Sequence, residues 1–575
     1  MSKGRYIVLL LWVGLALPFA ALKAQNYPKG YFRNPLDLPI KLSGTFGELR
    51  TNHFHSGLDI RTESKEGYKV YAIADGHVSR VKVSAYGYGL AVYIDHPNGY
   101  TSVYAHLQQF QGQLADWVRA KHYEKEAFEI DLSLKPGELV VKKGDVVALS
   151  GNTGGSGGPH LHFELRNTKT EAIINPQLFG YEVPDQVAPL FSFVELVPHG
   201  RGAQINGSGN NKKMWAQKSK SGYQLVPQRI DAWGSFYVQT RVADKHDGNG
   251  FNNGIYQLIL LAEGDTVYHF KADAFEFNET RYANSVMDYE SRMLQRESIY
   301  RCLKEPGNRV SLLPRVKNDG TITIAPGDSI QLEIIATDFN GNASRLSWKM
   351  RGATERTFEL SATGPTGERL TPDKPVNLIK DELRLSMPAW NFYDTLDLQY
   401  KRSIRPALSY SAVYSIHTPK VPVHGFYQVA IKHTGLPDSL RPFTVLVGIG
   451  LGGSRTAATG SWKGDFFEAR VRTFGDFYLA VDTVLPSVVA VNHKPGKAYR
   501  TGQKLNFRIG DNLSGLESYD IFIDGKWEYH EFDGKTASLS IPVQKSLASG
   551  NHTLDIVVKD AVGNTRNFQT NFKIL

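Results

Sequence analysis

Cysteine is almost missing from this chain: 575 residues contain one, Cys302. A lone cysteine excludes an intrachain disulfide framework, and none stands near the N-terminus to carry a lipid. Runs of lysine and arginine that would form a nucleic-acid patch are also missing, although the formal net charge is +9. That excess suits mild attraction to anionic surface polymers, or a plain solvated surface. Beyond the N-terminal stretch no segment is apolar and long enough to span a bilayer. Low-complexity tracts are lacking, and 41% hydrophobic with 21% charged residues is the composition of a globular protein.

What is present begins with Lys3 and Arg5, the apolar run "YIVLLLWVGLALPFA", and small residues around Ala20, Ala21 and Ala24. This order reads as a signal peptide over 1–24, so the mature chain is expected to be exported to the periplasm, cell envelope or exterior. An uncleaved anchor is the alternative reading of the same run. The length exceeds one core and points to three or four domains. Gly (54), Tyr (28) and Phe (29) are plentiful, and recurrent Asn-Gly and Asp-Gly pairs point to a mainly β fold.

Residues 40–180 carry dense hairpin signals. "YKVYAIADGHVSRVKV" alternates around Asp75-Gly76, "LAVYIDHPNGYTSVYAHL" around Asn98-Gly99, and "ELVVKKGDVVALSG" turns at Gly144-Asp145. One compact antiparallel sheet is expected, curled toward a small barrel. Leu114, Trp117 and Val118 lie at helical spacing and predict a short inserted helix over 113–128. His77 and His96 flank turns and read as surface residues. Further on, a partial repeat appears. "PDQVAPLFSFVEL" resembles "VDTVLPSVVAVN", and "ATDFNGNAS" resembles "VKDAVGNTR". Asp185 and Asp338 thus correspond to Asp482 and Asp560. The pattern suggests immunoglobulin-like β-sandwiches. We therefore divide the chain into a β domain with a helical insert over 25–184, an immunoglobulin-like domain with an insertion over 185–352, a β-rich segment of unassigned family over 353–481, and an immunoglobulin-like domain over 482–575.

Chemistry concentrates in three segments. In "GNTGGSGGPHLHFEL", strand alternation puts His160 and His162 about 7 Å apart on one face, with Glu164 next in the row and Leu161, Phe163 and Leu165 opposite. In "TNHFHSGLDIRT", His55 and Asp59 would lie about 13 Å apart on a straight strand; Gly57 between them permits a bend. A histidine and a carboxylate from a bent loop plus a strand histidine make three ligands with a fourth position open, the form of a catalytic zinc site. His53 is the alternative to His55, or a residue supporting the ligands, or a surface residue; Glu164 either hydrogen-bonds a ligand imidazole or is a solvated strand residue. In "YAHLQQF", His106 supplies a further imidazole for proton movement or oxyanion stabilisation. The glycine-rich run lacks the Lys-Ser/Thr ending of a phosphate loop and reads as a turn that admits substrate backbone.

"HSGLD", "YAHL" and "GPHLHFEL", in this order, resemble the lysostaphin/LytM-type zinc metallo-endopeptidases over roughly residues 40–180. The resemblance implies one zinc ion on His55, Asp59 and His162, with His106 and His160 as the two catalytic histidines. It also implies a hydrolase of peptide crosslinks or bridges in bacterial peptidoglycan. Some relatives lack ligands and only activate other hydrolases; no ligand is lost here. The insert after "YAHL" departs from the family and puts inherited substrate preference in doubt. A wall-binding or hydrolase-activating scaffold, or an exported protease on glycine-rich proteins, are the rival readings. The later β domains would position the enzyme on the wall or on a protein partner, or act as spacers.

Overall fold

The computed structural model describes residues 27–220, 222–226, 229–246, 250–354 and 367–575. The signal-peptide expectation for 1–24 falls outside the described residues. The fold is mainly β, with 49% of residues in strands and 9% helical. No helix among the described residues is long and apolar enough to cross a membrane.

The first sheet runs in the order Leu42–Gly44, Leu58–Arg61, His160–Asn167, Tyr100–Phe110, Leu90–Asp95, Gly76–Val83 and Val140–Val141. His160–Asn167 is its centre. Leu161, Phe163 and Leu165 are fully buried on one face and pack with Leu58, Ile60 and Tyr104. Burying side chains of this kind contributes roughly 1.5–3 kcal/mol each. The period of two leaves the opposite face of the strand for polar side chains.

The Asn98-Gly99 turn joins a true hairpin: Leu90–Asp95 pairs with Tyr100–Phe110, and Gly99 takes a positive φ of 85°. The other two turns connect strands that do not pair with each other. Lys69–Tyr71 pairs with Val146–Ser150, whereas Gly76–Val83 pairs with Leu90–Asp95. Val140–Val141 adds to Gly76–Val83, not to Val146–Ser150. The Asp75 carboxylate accepts from the Lys143 amide at 2.8 Å, so it secures the neighbouring Gly144 turn rather than closing its own hairpin. His96 is likewise not a surface residue. It is 4% exposed, with Nδ1 2.9 Å from the Asp75 carbonyl and Nε2 2.8 Å from Ser102 Oγ. A residue beside a turn is buried here because the Phe32 ring covers it, centroids 5.4 Å apart.

The inserted helix spans Gly112–Lys125 and ends where Glu126 turns left-handed at φ 45°. Leu114 and Val118 point inward, as their spacing requires. Its outer side meets the C-terminal module. Tyr123 Oη donates to Glu528, His122 lies 5.1 Å from the Tyr529 ring, and Tyr123 packs edge-on to Trp527.

Beyond residue 185 the sheets follow one another. An eleven-stranded sheet holds the strands from Leu190–Ile205 to Ala343–Gly352. The segment between Lys271 and Tyr300 includes short helices at Ala283–Val286 and Tyr289–Gln295. Ala274–Phe275, just before them, pairs back with Ile173–Ile174, so the first sheet draws a strand from the next module. Two five-stranded sheets between Val376 and Val481 share one core. A four-stranded and a five-stranded sheet make up Ser487–Ile574. This last module folds back until Lys535 Nζ donates to the carbonyls of Asn152 and Ser156 in the glycine-rich loop.

Candidate active site

Pairing register builds the site. Leu58–Arg61 runs antiparallel to His160–Asn167 with Asp59 directly opposite His162, so both side chains project from the same face. His55 reaches them from the preceding loop. Gly57 makes this approach feasible, though not by an unusual backbone angle: a Cβ there would lie 2.4 Å from the Phe163 carbonyl oxygen. The loop can lie against the central strand only where the residue has no side chain. Gly44 plays the same part on the other side, where a Cβ would meet Arg50 Nη2 at 2.2 Å and Asp59 Oδ2 at 2.5 Å.

Three donor atoms converge. His55 Nε2 is 3.0 Å and His162 Nδ1 2.9 Å from Asp59 Oδ1, and the two ring nitrogens are 3.1 Å apart. A tetrahedral ion with bonds of about 2.0–2.2 Å needs ligand separations of about 3.3–3.5 Å, so a small expansion admits zinc. Each imidazole has its other nitrogen committed. His55 Nδ1–H donates to the Thr45 carbonyl at 2.8 Å, and His162 Nε2–H donates to Glu164 Oε1 at 2.8 Å. These bonds fix which nitrogen faces the centre.

Glu164 is fully buried and anchors a second layer. Its Oε1 also accepts from Tyr88 Oη at 2.5 Å and Ser56 Oγ at 2.6 Å, while Arg166 donates to Oε2 through Nε at 2.8 Å. Arg50 Nη2 donates to Asp59 Oδ2 at 2.6 Å. His53 does not join this layer. It is exposed, with Nδ1 2.9 Å from the Thr51 carbonyl, on the short Leu49–Arg50/His53–Phe54 ribbon, where it pairs with Arg50.

His106 and His160 flank the cluster, with ring centroids 4.8 Å apart. His106 sits at a bulge in Tyr100–Phe110, with φ at 57°. A non-glycine residue held there is strained, and a bulge re-aims its side chain. Nδ1–H of His106 donates to the Thr153 carbonyl at 2.8 Å and Nδ1–H of His160 to the Gly158 carbonyl at 2.8 Å. Both rings therefore present Nε2, and His160 Nε2 stands 3.3 Å from Asp59 Oδ1. The two rings line a cleft of about 400 Å3 together with the Gly155–Gly158 loop, Arg61 and Phe251. Gly157 and Gly158 face open space, as a loop admitting a peptide backbone requires.

Electrostatics favour a cation in the centre. Burial, then the Arg50 guanidinium, pushes His55 down to about 4. Burial, then His162 and His160, pushes His106 down to about 3. Burial opposes charge on His162 too, but the hydrogen bonds and charges of Asp59 and Glu164 outweigh it and raise that imidazole to about 9. Asp59 is held well below the carboxylate range despite burial, by His55, His160 and His162. Two carboxylates beside a buried imidazole stabilise positive charge there.

Residues 53–123 and 129–176 match peptidase family M23, with the break at the end of the inserted helix. This region is a peptidase family M23 domain. Zinc is the cofactor of the family, and His55, Asp59 and His162 form a group able to hold it. An uncharacterised metalloprotease of Haemophilus influenzae is 34% identical over 149 residues, 25% of this chain and 26% of that protein. The DD-carboxypeptidase/endopeptidase Mpg of Neisseria meningitidis serogroup B is 32% identical over 161 residues, 26% of this chain and 31% of that protein. The murein hydrolase activator EnvC of Escherichia coli is 32% identical over 131 residues, 23% of this chain and 24% of that protein. The chain thus spans about a third or less of the length of these relatives. Residues 368–482 match a Zu5-like domain, which supplies a family for the segment that sequence reading left unassigned.

Proposed function

We propose that the chain is an exported zinc endopeptidase that hydrolyses peptide crosslinks or bridges of bacterial peptidoglycan. The observation that carries this reading is the complete set: three donor atoms within 3.1 Å of one another, beside two imidazoles, His106 and His160, that line the cleft. The M23 relatives that act as endopeptidases support the substrate class.

His55, Asp59 and His162 would hold the ion, which supplies Lewis acidity toward a peptide carbonyl and a water molecule. Arg50 and Glu164 hold two of those ligands in position. His106 and His160 do the proton work: each accepts a proton at Nε2 while its Nδ1–H remains tied to a backbone carbonyl, and returns it to the departing amine. Once protonated, either ring also hydrogen-bonds a developing oxyanion. Gly157 and Gly158 leave room for the substrate backbone. The modules after residue 185, read as immunoglobulin-like and Zu5-like, place this cleft against the wall and buttress its rim through Lys535.

The test is incubation of the full chain with crosslinked peptidoglycan, scoring new amine ends. Activity that needs zinc and disappears in His162→Ala supports the enzyme. No amine release by the zinc-loaded chain, with stimulation of a separate wall hydrolase, would establish the activator reading. Equal cleavage of a glycine-rich protein would move the substrate class to proteins.

A further inference from the structure

The repeat carries a second cluster that the M23 site does not use. Asp185 leaves the first domain in the "VPDQVAP" linker, Asp244 and His246 follow the strand Ile230–Ala243, and Asp338 opens the "DFNGN" turn. His246 Nε2 is 3.0 Å from Asp244 Oδ2 and 4.0 Å from Asp185 Oδ2. One ligand atom from each of Asp185, Asp244 and His246 lies within 4.8 Å of the others. They border a small cavity of about 20 Å3 that Asp338 also lines, enough for a single ion or water.

Two buried atoms here lack partners. The Asp244 side chain is 2% exposed and its Oδ1 accepts no hydrogen bond. Nδ1 of His246, whose side chain is 10% exposed, has none either. No lysine or arginine among the described residues forms an ion pair with Asp244 or Asp338. Burial, before any other cause, raises Asp244 above its ordinary value and lifts Asp338 to about 6. A buried carboxylate with an unused oxygen normally finds a metal or a cation.

The scaffold around the cluster occurs twice. Asn342 Nδ2 donates to Asp338 Oδ2 at 2.7 Å and to the Asp185 carbonyl at 3.1 Å; Asn564 Nδ2 donates to Asp560 Oδ2 at 2.7 Å and to the Asp482 carbonyl at 2.9 Å. Asp511 stands where Asp244 does, and Asp482, Asp511 and Asp560 also converge. Leu513 replaces His246, so the imidazole donor is peculiar to the first copy.

We propose that Asp185, Asp244 and His246 form a second divalent-metal site, structural in role, at the junction of the M23 domain and the following β module. Two carboxylates and one imidazole suit a first-row ion. Separations of 3.0 and 4.0 Å approach the adjacent and opposite spacings of a six-coordinate ion with bonds near 2.1 Å, about 3.0 and 4.2 Å. The consequence reaches the active site. Thr45 lines the same cavity, its Oγ1 donates to the Gly254 carbonyl at 3.0 Å, and its own carbonyl holds the ligand His55.

The experiment uses the full chain, stripped with a chelator and reloaded with zinc or manganese chloride. Bound metal is counted by mass spectrometry after desalting, and thermal unfolding is followed with and without metal. His162→Ala is the background, so the count does not depend on the M23 site. Asp244→Asn is expected to bind one equivalent fewer than this background and to lose at least part of the metal-dependent rise in Tm. His246→Gln, which keeps the shape of the site, is expected to do the same should Asp244→Asn fold poorly. Equal metal counts in all three proteins, or an unchanged Tm increment, would overturn the proposal.

Discussion

Glu164→Gln separates metal positioning from ordinary core stability. The carboxylate is fully buried and takes four donors: His162, Tyr88, Ser56 and Arg166. The amide keeps the volume but loses the charge, and its NH2 group confronts a donor on at least one side. Loss of a hydrogen-bond partner behind a ligating imidazole typically costs 10–100-fold in metal affinity, about 1.4–2.7 kcal/mol. Arg166, whose side chain is 7% exposed, is then left as a buried charge without its partner, at a cost of roughly 3–5 kcal/mol. A domain in the upper half of the ordinary range of about 5–15 kcal/mol survives that loss. Zinc affinity measured by competition with a chromophoric chelator should fall by one to two orders of magnitude, and denaturant midpoints should fall as well. Tyr88→Phe is the control. It removes one neutral donor from the same oxygen and should cost only about 1 kcal/mol in stability, with zinc affinity within threefold. Wild-type zinc affinity in a folded Glu164→Gln protein would refute the claim that Glu164 orients His162.

Other consequences are equally concrete. His106→Ala and His160→Ala should retain zinc yet lose about 10²–10⁴-fold in turnover, the usual span for a lost general acid–base group; loss of zinc from either would make it a ligand instead. Gly57→Ala should destabilise the domain by about 1–3 kcal/mol through overpacking against the Phe163 carbonyl, visible as a lower Tm. Removing zinc should lower Tm, since at a concentration a hundredfold above Kd a bound ligand contributes about 2.7 kcal/mol. Tyr123→Phe should weaken docking of the C-terminal module by about 1–2 kcal/mol, because the buried Glu528 carboxylate loses that donor; limited proteolysis would register the looser contact.

Much of the site was legible because it is built from strand alternation. "PHLHFELR" writes one face of a strand as His160, His162, Glu164 and Arg166, and the structure keeps all four on that side. Arg166 could have been found by continuing the same count by two. Arg50, Ser56 and Tyr88 could not, since they reach the site through loops and pairings that no local period encodes. Gly57 was marked as a residue that permits a bend; what the structure adds is its lack of a side chain, because the neighbour it makes room for, the Phe163 carbonyl, is more than a hundred positions away in sequence. The hairpin signals divide the same way. Asn98-Gly99 joins strands that pair with each other, whereas Asp75-Gly76 and Gly144-Asp145 reverse the chain toward distant partners. Turn chemistry reports a change of direction, and the hydrophobic surface to be covered decides the pairing. His96 shows the cost of reading a residue from its turn, because Phe32 from the N-terminal segment buries it.

The most direct test of the central claim is mass spectrometry of purified crosslinked muropeptides incubated with the zinc-loaded full chain. The account predicts that dimers become monomers with one water gained per cut, and that chelation, His162→Ala and His106→Ala each stop the conversion. Intact dimers after incubation with a folded, zinc-loaded chain would contradict it.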